Sequence, residues 1–529
     1  MSPLRVRWLG RVSYRDAHAC QQAMFERSGD YLLLLEHPHV FTLGLRGDEA
    51  NILVDPAEVG AEVAYSDRGG DVTYHGPGQL VGYPVMTVAG KRGGGMADTV
   101  AYVRSVEQLV IDALGDVGLA DCGRLDDYPG VWVDPDSDNP RKIAAIGVRL
   151  SRTRSMHGFA LNVDCDLDWF DRIVPCGIPD KAVTSLAAEG RRVEMREVVD
   201  AVAARAADRW GAEGVEGVDR ADVAGERGLE TGVSVDLRAR KPEWMRVLLR
   251  TGPEFRRLRS VLHRRDLVTV CEEAGCPNIY ECWNEGTATF MINGERCTRA
   301  CGFCLVDTRR PEPPDPAEPE KVADAVAAMG LDYAVITAVA RDDLPDGGAA
   351  GFAAVVEAVR TRTPKVRVEV LIPDCKGDPD ALAVVFDARP DVLNHNIETV
   401  ARLQRAVRPS AGYARSLAVL ARAKAAGLTT KSSIIVGLGE TDDEVVQTMA
   451  DLSAVGTDIV TVGQYLRPSA DHLPVARWIP PDQFEQFRAV GRSLGIAHVE
   501  ASPLTRSSHH AQHAHAQALA SPVRAAGVG

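Results

Sequence analysis

No run of about 18 apolar residues occurs along the chain, so no segment reads as a membrane-spanning helix. The amino terminus, Met-Ser-Pro-Leu-Arg-Val-Arg-Trp, lacks the apolar core of a secretory signal. Positive charge is also short: 74 acidic residues stand against 60 Lys and Arg, a formal net charge of -14. Phosphate backbones need a clustered cationic surface, so this balance argues against a nucleic-acid partner. Internal repeats are absent. What remains is a globular chain of 529 residues, 45% hydrophobic and 25% charged, long enough for two to four domains. Its expected location is the cytoplasm. There its 11 cysteines read as metal ligands and nucleophiles rather than disulfides, and six of them lie between Cys271 and Cys304.

The densest chemistry lies in Gly294 to Asp307, where Cys297, Cys301 and Cys304 follow the spacing Cys-x3-Cys-x2-Cys. Ala288 to Ile292 reads as a strand just before them, so the thiols fall on a loop leaving a sheet. Iron–sulfur cubanes are held by thiolates, and three local thiolates leave one iron open to a chelating small molecule. With Phe303 before the last Cys, the motif resembles the signature of radical S-adenosylmethionine (SAM) enzymes. That likeness implies a 4Fe-4S cluster whose open iron binds SAM and cleaves it to a 5'-deoxyadenosyl radical.

A second trio, Cys271, Cys276 and Cys282, is spaced Cys-x4-Cys-x5-Cys, without the paired knuckles and nearby fourth ligand of a zinc ribbon. Downstream, β-branched or apolar runs such as Val335 to Ala338, Val370 to Ile372 and Lys431 to Val436 alternate with helical segments such as Gly351 to Arg360 and Tyr413 to Ala426. That alternation predicts parallel βα units in a barrel or partial barrel, with the site at the loops after the strands. Arg341, Asp342, Asn396, Glu398 and Glu440 fall on such loops.

The two trios together resemble lipoyl synthase. The resemblance assigns Cys297, Cys301 and Cys304 to the SAM cluster, with Phe303, Asn396 and Glu398 as SAM contacts. Cys271, Cys276 and Cys282 would hold an auxiliary 4Fe-4S cluster consumed as sulfur donor. Its fourth ligand is implied to be Ser508, in Arg506-Ser-Ser-His; the family has Tyr where His509 stands. His510, His513 and His515 are expected to belong to a flexible tail from about residue 512. An electron donor such as ferredoxin or flavodoxin is implied.

In the first half, Tyr31 to Glu36 and Glu62 to Tyr65 read as strands, and Met195 to Trp210 lies within a helical stretch that closes a domain. Arg68-Gly-Gly-Asp-Val-Thr-Tyr-His-Gly-Pro-Gly-Gln79 is too rich in glycine for a helix or sheet interior, and such a loop can bring backbone close to a ligand. Arg141 and Lys142 read as a turn entering a strand, and Met156 to Asn162 as a further apolar run. Ile173-Val-Pro-Cys176-Gly places a lone thiol in a turn. A free thiol has a pKa of about 8.5 unless a cation lowers it, and Lys142 is a candidate cation.

This ordered set resembles lipoyl(octanoyl) transferase, whose fold is the mixed sheet with flanking helices of biotin and lipoate ligases. The likeness implies octanoyl transfer from acyl carrier protein to Cys176, aided by Lys142, and on to a lysine of a lipoyl domain. Those domains belong to 2-oxoacid dehydrogenases and the glycine cleavage H protein. The acyl site would be lined by Arg68, Gly69, Gly70, Asp71, Val72, Thr73, Tyr74 and His75, with Ala145, Ile146 and Gly147, and Gly158, Phe159 and Ala160. An ATP-using ligase of the same fold does not need the thiol. The fold expected is thus α/β throughout: residues 1–211 the octanoyltransferase, 212–240 a linker poor in large apolar residues, and 241–529 the radical SAM partial (β/α) barrel. A two-cluster electron-transfer protein and a lipoyl-domain-binding scaffold with one site inactive are the rival readings.

Overall fold

The computed structural model describes residues 4–91, 94, 96–174, 181–211, 216–219, 241–245, 278–284 and 287–521. The chain divides into two compact units, Met1–Val223 and Ala224–Gly529. Cys176, Cys271, Cys276 and most of the expected linker lie outside the described residues.

The first unit is built on a mixed sheet with the order β12-β1-β2-β6-β10-β9-β8-β7, with β11 pairing β9. Its strands are β1 (Arg5–Arg11), β2 (Tyr31–Glu36), β6 (Gln79–Val85), β7 (Cys122–Leu125), β8 (Tyr128–Val133), β9 (Arg141–Ser151), β10 (Arg154–Asn162), β11 (Ala182–Val183) and β12 (Glu216–Asp219). A smaller sheet carries β3 (Val40–Leu43) between β4 (Glu62–Tyr65) and β5 (Val72–His75). Alternation along β2 sends Leu32 and Leu34 into a core shared with Leu109 and Val110 of α2 (Thr99–Asp116) and Val199 and Val202 of α3 (Met195–Trp210). Helix α1 (Tyr14–Phe25), capped by Ser13 on the Asp16 amide, packs on β6 and β10.

Three expectations need correction here. Val72–His75 is a strand inside the glycine-rich loop, because two β-branched and aromatic residues find a partner in β3. Lys142 is the second residue of β9 rather than part of a turn. Within the expected linker, Glu216–Asp219 pairs parallel to β1, whose open edge supplies the hydrogen bonds that this polar segment cannot make alone.

The second unit is a parallel sheet in sequential order: β13 (Thr287–Ile292), β14 (Tyr333–Ala338), β15 (Arg367–Leu371), β16 (Val392–Asn394), β17 (Thr429–Val436), β18 (Ile459–Gln464) and β19 (His498–Ser502). Among the described residues β13 and β19 do not pair, so the barrel is partial. A short helix, α4 (Ile279–Asn284), precedes β13. The connections are α5 (Glu318–Met329), α6 (Ala349–Arg362), α7 (Pro379–Asp387), α8 (Gln404–Val407), α9 (Tyr413–Ala425), α10 (Asp442–Ala454) and α11 (Pro481–Ser493). Local chemistry sets their ends: Pro379 follows the Asp378 cap of α7, and Thr441 with Glu444 closes a capping box on α10.

Within the expected flexible tail, residues 512–520 are helical, and residues 522–529 lie outside the described residues. Ala511–Ala520 form α12, which buries Ala511, Ala514 and Ala518 against β14, β18 and β19. His515 is buried with its ring edge-on to Tyr333. Small alanines let this helix approach closely, a packing signal that composition read as a polar tail obscured.

Inside the barrel, Lys431 and Glu369 are fully buried with Nζ 3.0 Å from Oε1. Asn394 Nδ2 donates to the same carboxylate at 3.0 Å and Tyr333 OH at 3.0 Å. Removing one partner of such a pair costs about 3–5 kcal/mol because the other charge stays buried alone. Glu369→Leu should therefore lower the denaturant midpoint of the second unit, and Glu369→Leu with Lys431→Met should recover most of the loss. An unchanged midpoint in the single variant would show that the pair holds nothing.

Candidate active sites

In the first unit, β5 sorts the glycine-rich motif by alternation. Thr73 and His75 face a depression of about 490 Å³ together with Arg68, Gly69 and Gly70. Ala145 to Gly147 of β9 and Gly158 to Ala160 of β10 line it as well. Val72 and Tyr74 turn the other way, into an apolar cluster with Phe41 and Trp169, where the Tyr74 ring lies 5.2 Å from Trp169. Asp71 also leaves the cavity: its carboxylate accepts from the Asp48 amide at 3.1 Å and from Asn51 Nδ2 at 2.7 Å, clasping a neighbouring turn. Eleven of the fourteen residues expected at the acyl site thus share one cavity, and Asp71, Val72 and Tyr74 do not.

Arg68 is held by Thr42, donating to its carbonyl at 2.7 Å and its hydroxyl at 2.9 Å. Gly158 sits where β10 crosses β6 so closely that a Cβ would lie 2.2 Å from the Gly82 carbonyl oxygen. A second depression, about 500 Å³, adjoins the first at Thr73, Ala145 and Ala160 and is lined by Lys142, Trp132 and Lys181. The chain re-enters the described structure at Lys181, and two residues later Val183 pairs with Lys142.

Four imidazoles, buried or half-buried, line and back the first cavity. Burial lowers the pKa of His37 to about 4 and of His18 to about 4, and pulls His75 and His157 down as well. His37 Nδ1 donates to the Val12 carbonyl at 2.7 Å, which leaves Nε2 to accept from Tyr83 OH at 2.8 Å. His157 Nε2 is 2.6 Å from Asp67 Oδ1; that hydrogen bond lowers the Asp67 pKa to about 2, and Arg149 pairs with its other oxygen. His18 Nε2 is 3.9 Å from the same carboxylate.

His18 and His37 titrate in the unfolded chain near pH ~6.5 but not in the folded one until about pH 4, and His75 and His157 are shifted the same way. As pH falls through that window the unfolded state gains the protons, so stability falls. Asp67 adds a contribution present above its ordinary carboxylate range and lost as pH drops toward 2. The melting temperature of the first unit should decline steadily from pH 7 to pH 4; a flat profile would contradict the buried neutral imidazoles.

In the second unit the loop after β13 carries Cys297, Cys301 and Cys304, tied to the loops that follow other strands. The Thr298 amide donates to the Ala340 carbonyl at 3.0 Å, Gly302 to Val407 at 2.9 Å, and His472 Nε2 to the Cys304 carbonyl at 3.0 Å. Arg299, buried within the motif itself, forks onto Asp342 at 2.7 and 2.8 Å and reaches Asp374 at 2.6 Å. Burial and the neighbouring thiols push Cys304 up to about 11, and burial raises Cys301. Three thiols on one loop are the donor set of an iron–sulfur cluster, whose iron takes them as thiolates.

Asn396 and Glu398 come together beside this loop, with Asn396 Nδ2 donating to Glu398 Oε1 at 3.0 Å. Glu398 has φ of 67° and burial raises its pKa; backbone strain of this kind persists where the surroundings enforce it. Phe303 is half-buried between Cys301 and Cys304. The other three loop residues have structural partners. Arg341 clamps Asp343 and the Asn293 carbonyl, Asp342 receives Arg299, and Glu440 accepts the amides of Gly437 and Leu438. Cys282 is buried on α4, whose preceding Asn278 donates to the Leu504 carbonyl at 2.7 Å, bringing that helix to the turn that leads to Ser508. His509 is buried and stacks on His510 at 3.8 Å.

Arg299, Asp374 and His472 escaped sequence reasoning. Only Arg299 gave a signal, a cation enclosed by two thiols. Arg299→Lys keeps the charge but cannot form the planar fork; Arg299→Gln loses both. Iron and sulfide per chain after anaerobic purification should fall in that order, and undiminished loading in Arg299→Gln would exclude a role in holding the loop.

Comparisons with known proteins follow this division. The lipoyl protein ligase A/B catalytic domain family matches residues 13–207, and the radical SAM superfamily matches 291–452. Lipoyl synthase of Mycobacterium avium is 54% identical over 279 residues, covering 53% of this chain and 91% of that protein. Lipoyl synthase of Mycobacterium tuberculosis is 53% identical over 279 residues, covering 53% and 90%. Among solved structures, a bi-partite lipoate protein ligase from Thermoplasma acidophilum aligns with 40% of this chain and 84% of its own, at 18% identity and a TM-score of 0.34, a likeness too slight to carry weight. Among the described residues no helix is long and apolar enough to cross a membrane. With its second half this enzyme belongs to the lipoyl synthase family of radical SAM proteins, and its first half carries a lipoyl protein ligase A/B catalytic domain.

Proposed function

We propose that the chain performs both steps of protein lipoylation, in the cytoplasm. Residues 1–211 are the octanoyltransferase, 241–529 the lipoyl synthase, and the stretch between them joins the two. The observation that carries the first assignment is Lys142, which lines a cavity where the chain rejoins the sheet after the Cys176 turn. A ligase that activates the acid with ATP has no use for that thiol.

In the first step the Cys176 thiolate attacks the thioester carbonyl of octanoyl-acyl carrier protein and releases the carrier thiol. The amine of a lipoyl-domain lysine then attacks the new thioester, forms the amide and returns the thiolate. Lys142 supplies positive charge beside the thiol, and the eleven residues lining the neighbouring cavity, Arg68 and Phe159 among them, receive the acyl chain. Acceptors are lipoyl domains of 2-oxoacid dehydrogenases and the H protein.

In the second, Cys297, Cys301 and Cys304 would hold one 4Fe-4S cluster, with Phe303, Asn396 and Glu398 as SAM contacts, and Cys271, Cys276, Cys282 and Ser508 would hold a second. Bound, and reduced through a ferredoxin or flavodoxin, the first would supply the electron for SAM cleavage and so the hydrogen abstraction at C6 and C8, and the second would supply sulfur. Arg299 holds the thiol loop against Asp342 and Asp374 throughout.

Mass spectrometry tests both steps on one acceptor. With octanoyl-acyl carrier protein alone, an unmodified lipoyl domain should gain one octanoyl group; with SAM and reductant added, it should gain two sulfurs for two SAM molecules. Cys176→Ala should abolish the first gain and leave sulfur insertion into a pre-octanoylated domain intact. Full octanoyl transfer by Cys176→Ala would overturn the transferase assignment in favour of a ligase-like route, and SAM left uncleaved under reduction would leave an electron-transfer protein.

A further inference from the structure

Lys142 lies in a cradle that the reaction chemistry alone does not call for. Its Nζ is 5.0 Å from the centroid of the Trp132 ring, which is 1% exposed. Trp132 stands opposite Lys142 in the antiparallel pairing of β8 with β9, at a register irregularity between Val131 and Trp132. The indole is fixed in turn: Nε1 donates to the Tyr128 carbonyl at 3.0 Å.

The second element is Gly130, with φ of 135°. A Cβ there would lie 2.6 Å from the Ala144 carbonyl oxygen, 3.0 Å from Lys142 Cε and 3.5 Å from its Nζ. A side chain at this position would meet the Ala144 carbonyl first and the lysine stem second, on a backbone conformation that favours glycine. Gly130 is itself held, its amide donating to Glu107 Oε1 at 3.1 Å, and Glu107 is buried and paired with Arg124 at 2.9 Å. The same strand repeats the arrangement: Lys181 Nζ is 5.5 Å from the Tyr128 ring, which meets Trp132 edge-on at 6.1 Å.

We infer that Trp132 and Gly130 are positioning residues for Lys142, the indole face keeping the side chain as a charged ammonium aimed along the cavity wall and the bare Cα of Gly130 giving it room. An aromatic face attracts an ammonium and not a neutral amine. The cradle therefore fits a lysine that acts through fixed positive charge. This rests on the reading of Lys142 as the group that keeps the nucleophilic thiol ionised.

The test uses the full chain with clusters loaded and measures octanoyl transfer against pH. Trp132→Leu removes the ring face, Trp132→Phe keeps a smaller one, and Gly130→Ala crowds the lysine. In Trp132→Leu, kcat should fall several-fold with KM for the octanoyl carrier unchanged, and the acid limb of the pH profile should move up by ~0.5 unit. Alkylation of Cys176 by iodoacetamide should shift to higher pH in parallel. Trp132→Phe should restore part of both, and Gly130→Ala should lower kcat. Where Trp132→Leu fails to fold, as judged by circular dichroism, Trp132→Phe and Gly130→Ala decide. Folded variants with wild-type kcat and pH profile would overturn the cradle. Lys142→Ala separates the two claims: if it leaves transfer and thiol reactivity untouched the underlying reading fails, whereas a defect there with silent Trp132 and Gly130 variants removes only the cradle.

Discussion

The fork of Arg299 onto Asp342 and Asp374 is the contact on which the second unit's chemistry depends. A loop of fourteen residues with two glycines, closed on itself only by the bridge of Arg296 to Asp307, has little of its own to fix three thiols in place. Burying a guanidinium against two carboxylates converts that loop into an extension of the barrel, because Asp342 follows β14 and Asp374 follows β15. Asp374 is fully buried and its carboxyl is held below the ordinary range; burial opposes this, and Arg299 overcomes it. The loop's position is therefore inherited from strands whose register is fixed by apolar packing.

The first unit solves a related problem with a different device. Its reactive groups lie on or beside strands, so alternation decides which of them face the cavity. Thr73 and His75 face inward because Val72 and Tyr74 are needed to seal the small sheet against Trp169. A shift of one residue in the pairing of β5 with β3 would exchange these sets and destroy both the cavity and the cluster. Arg68 is held here by the Thr42 carbonyl and hydroxyl, and the Lys142 ammonium lies beside the Trp132 ring. That matters beside a thiol, since a carboxylate at the same place would oppose its ionisation.

Much of this was legible in the sequence because continuous apolar runs mark buried strands whatever their surroundings. Tyr31 to Glu36, Met156 to Asn162 and Lys431 to Val436 all coincide with strands, and the alternation of runs with helical segments matches the parallel sheet. Errors arose where tertiary pairing overrode local composition. Val72–His75 is a strand among glycines because β3 lies alongside, Lys142 entered a strand because β8 and β11 flank it, and Ala511–Ala520 became a packed helix because its alanines fit the end of the sheet. At the sites, residues carrying reactive atoms were recognisable by type and spacing. Those holding them were not: Asp374 stands 75 positions from Arg299 and Trp132 ten from Lys142. No spacing rule links them. Their relation exists only once register and strand order are set.

Arg341 and Glu440 show the converse. Charged residues on loops after barrel strands are where chemistry is expected, yet these two spend their hydrogen bonds on closing neighbouring turns. Asn396 and Glu398 differ in a way that can be stated physically. Asn396 donates to Glu398, which is half-buried with its backbone in the left-handed region and has Arg408 as its nearby cation, next to the thiol loop. Glu440 is instead fixed by two backbone amides of its own turn. The barrel thus holds one acid by its local turn and the other by side chains that arrive from neighbouring segments, and only the second kind of arrangement depends on strand order.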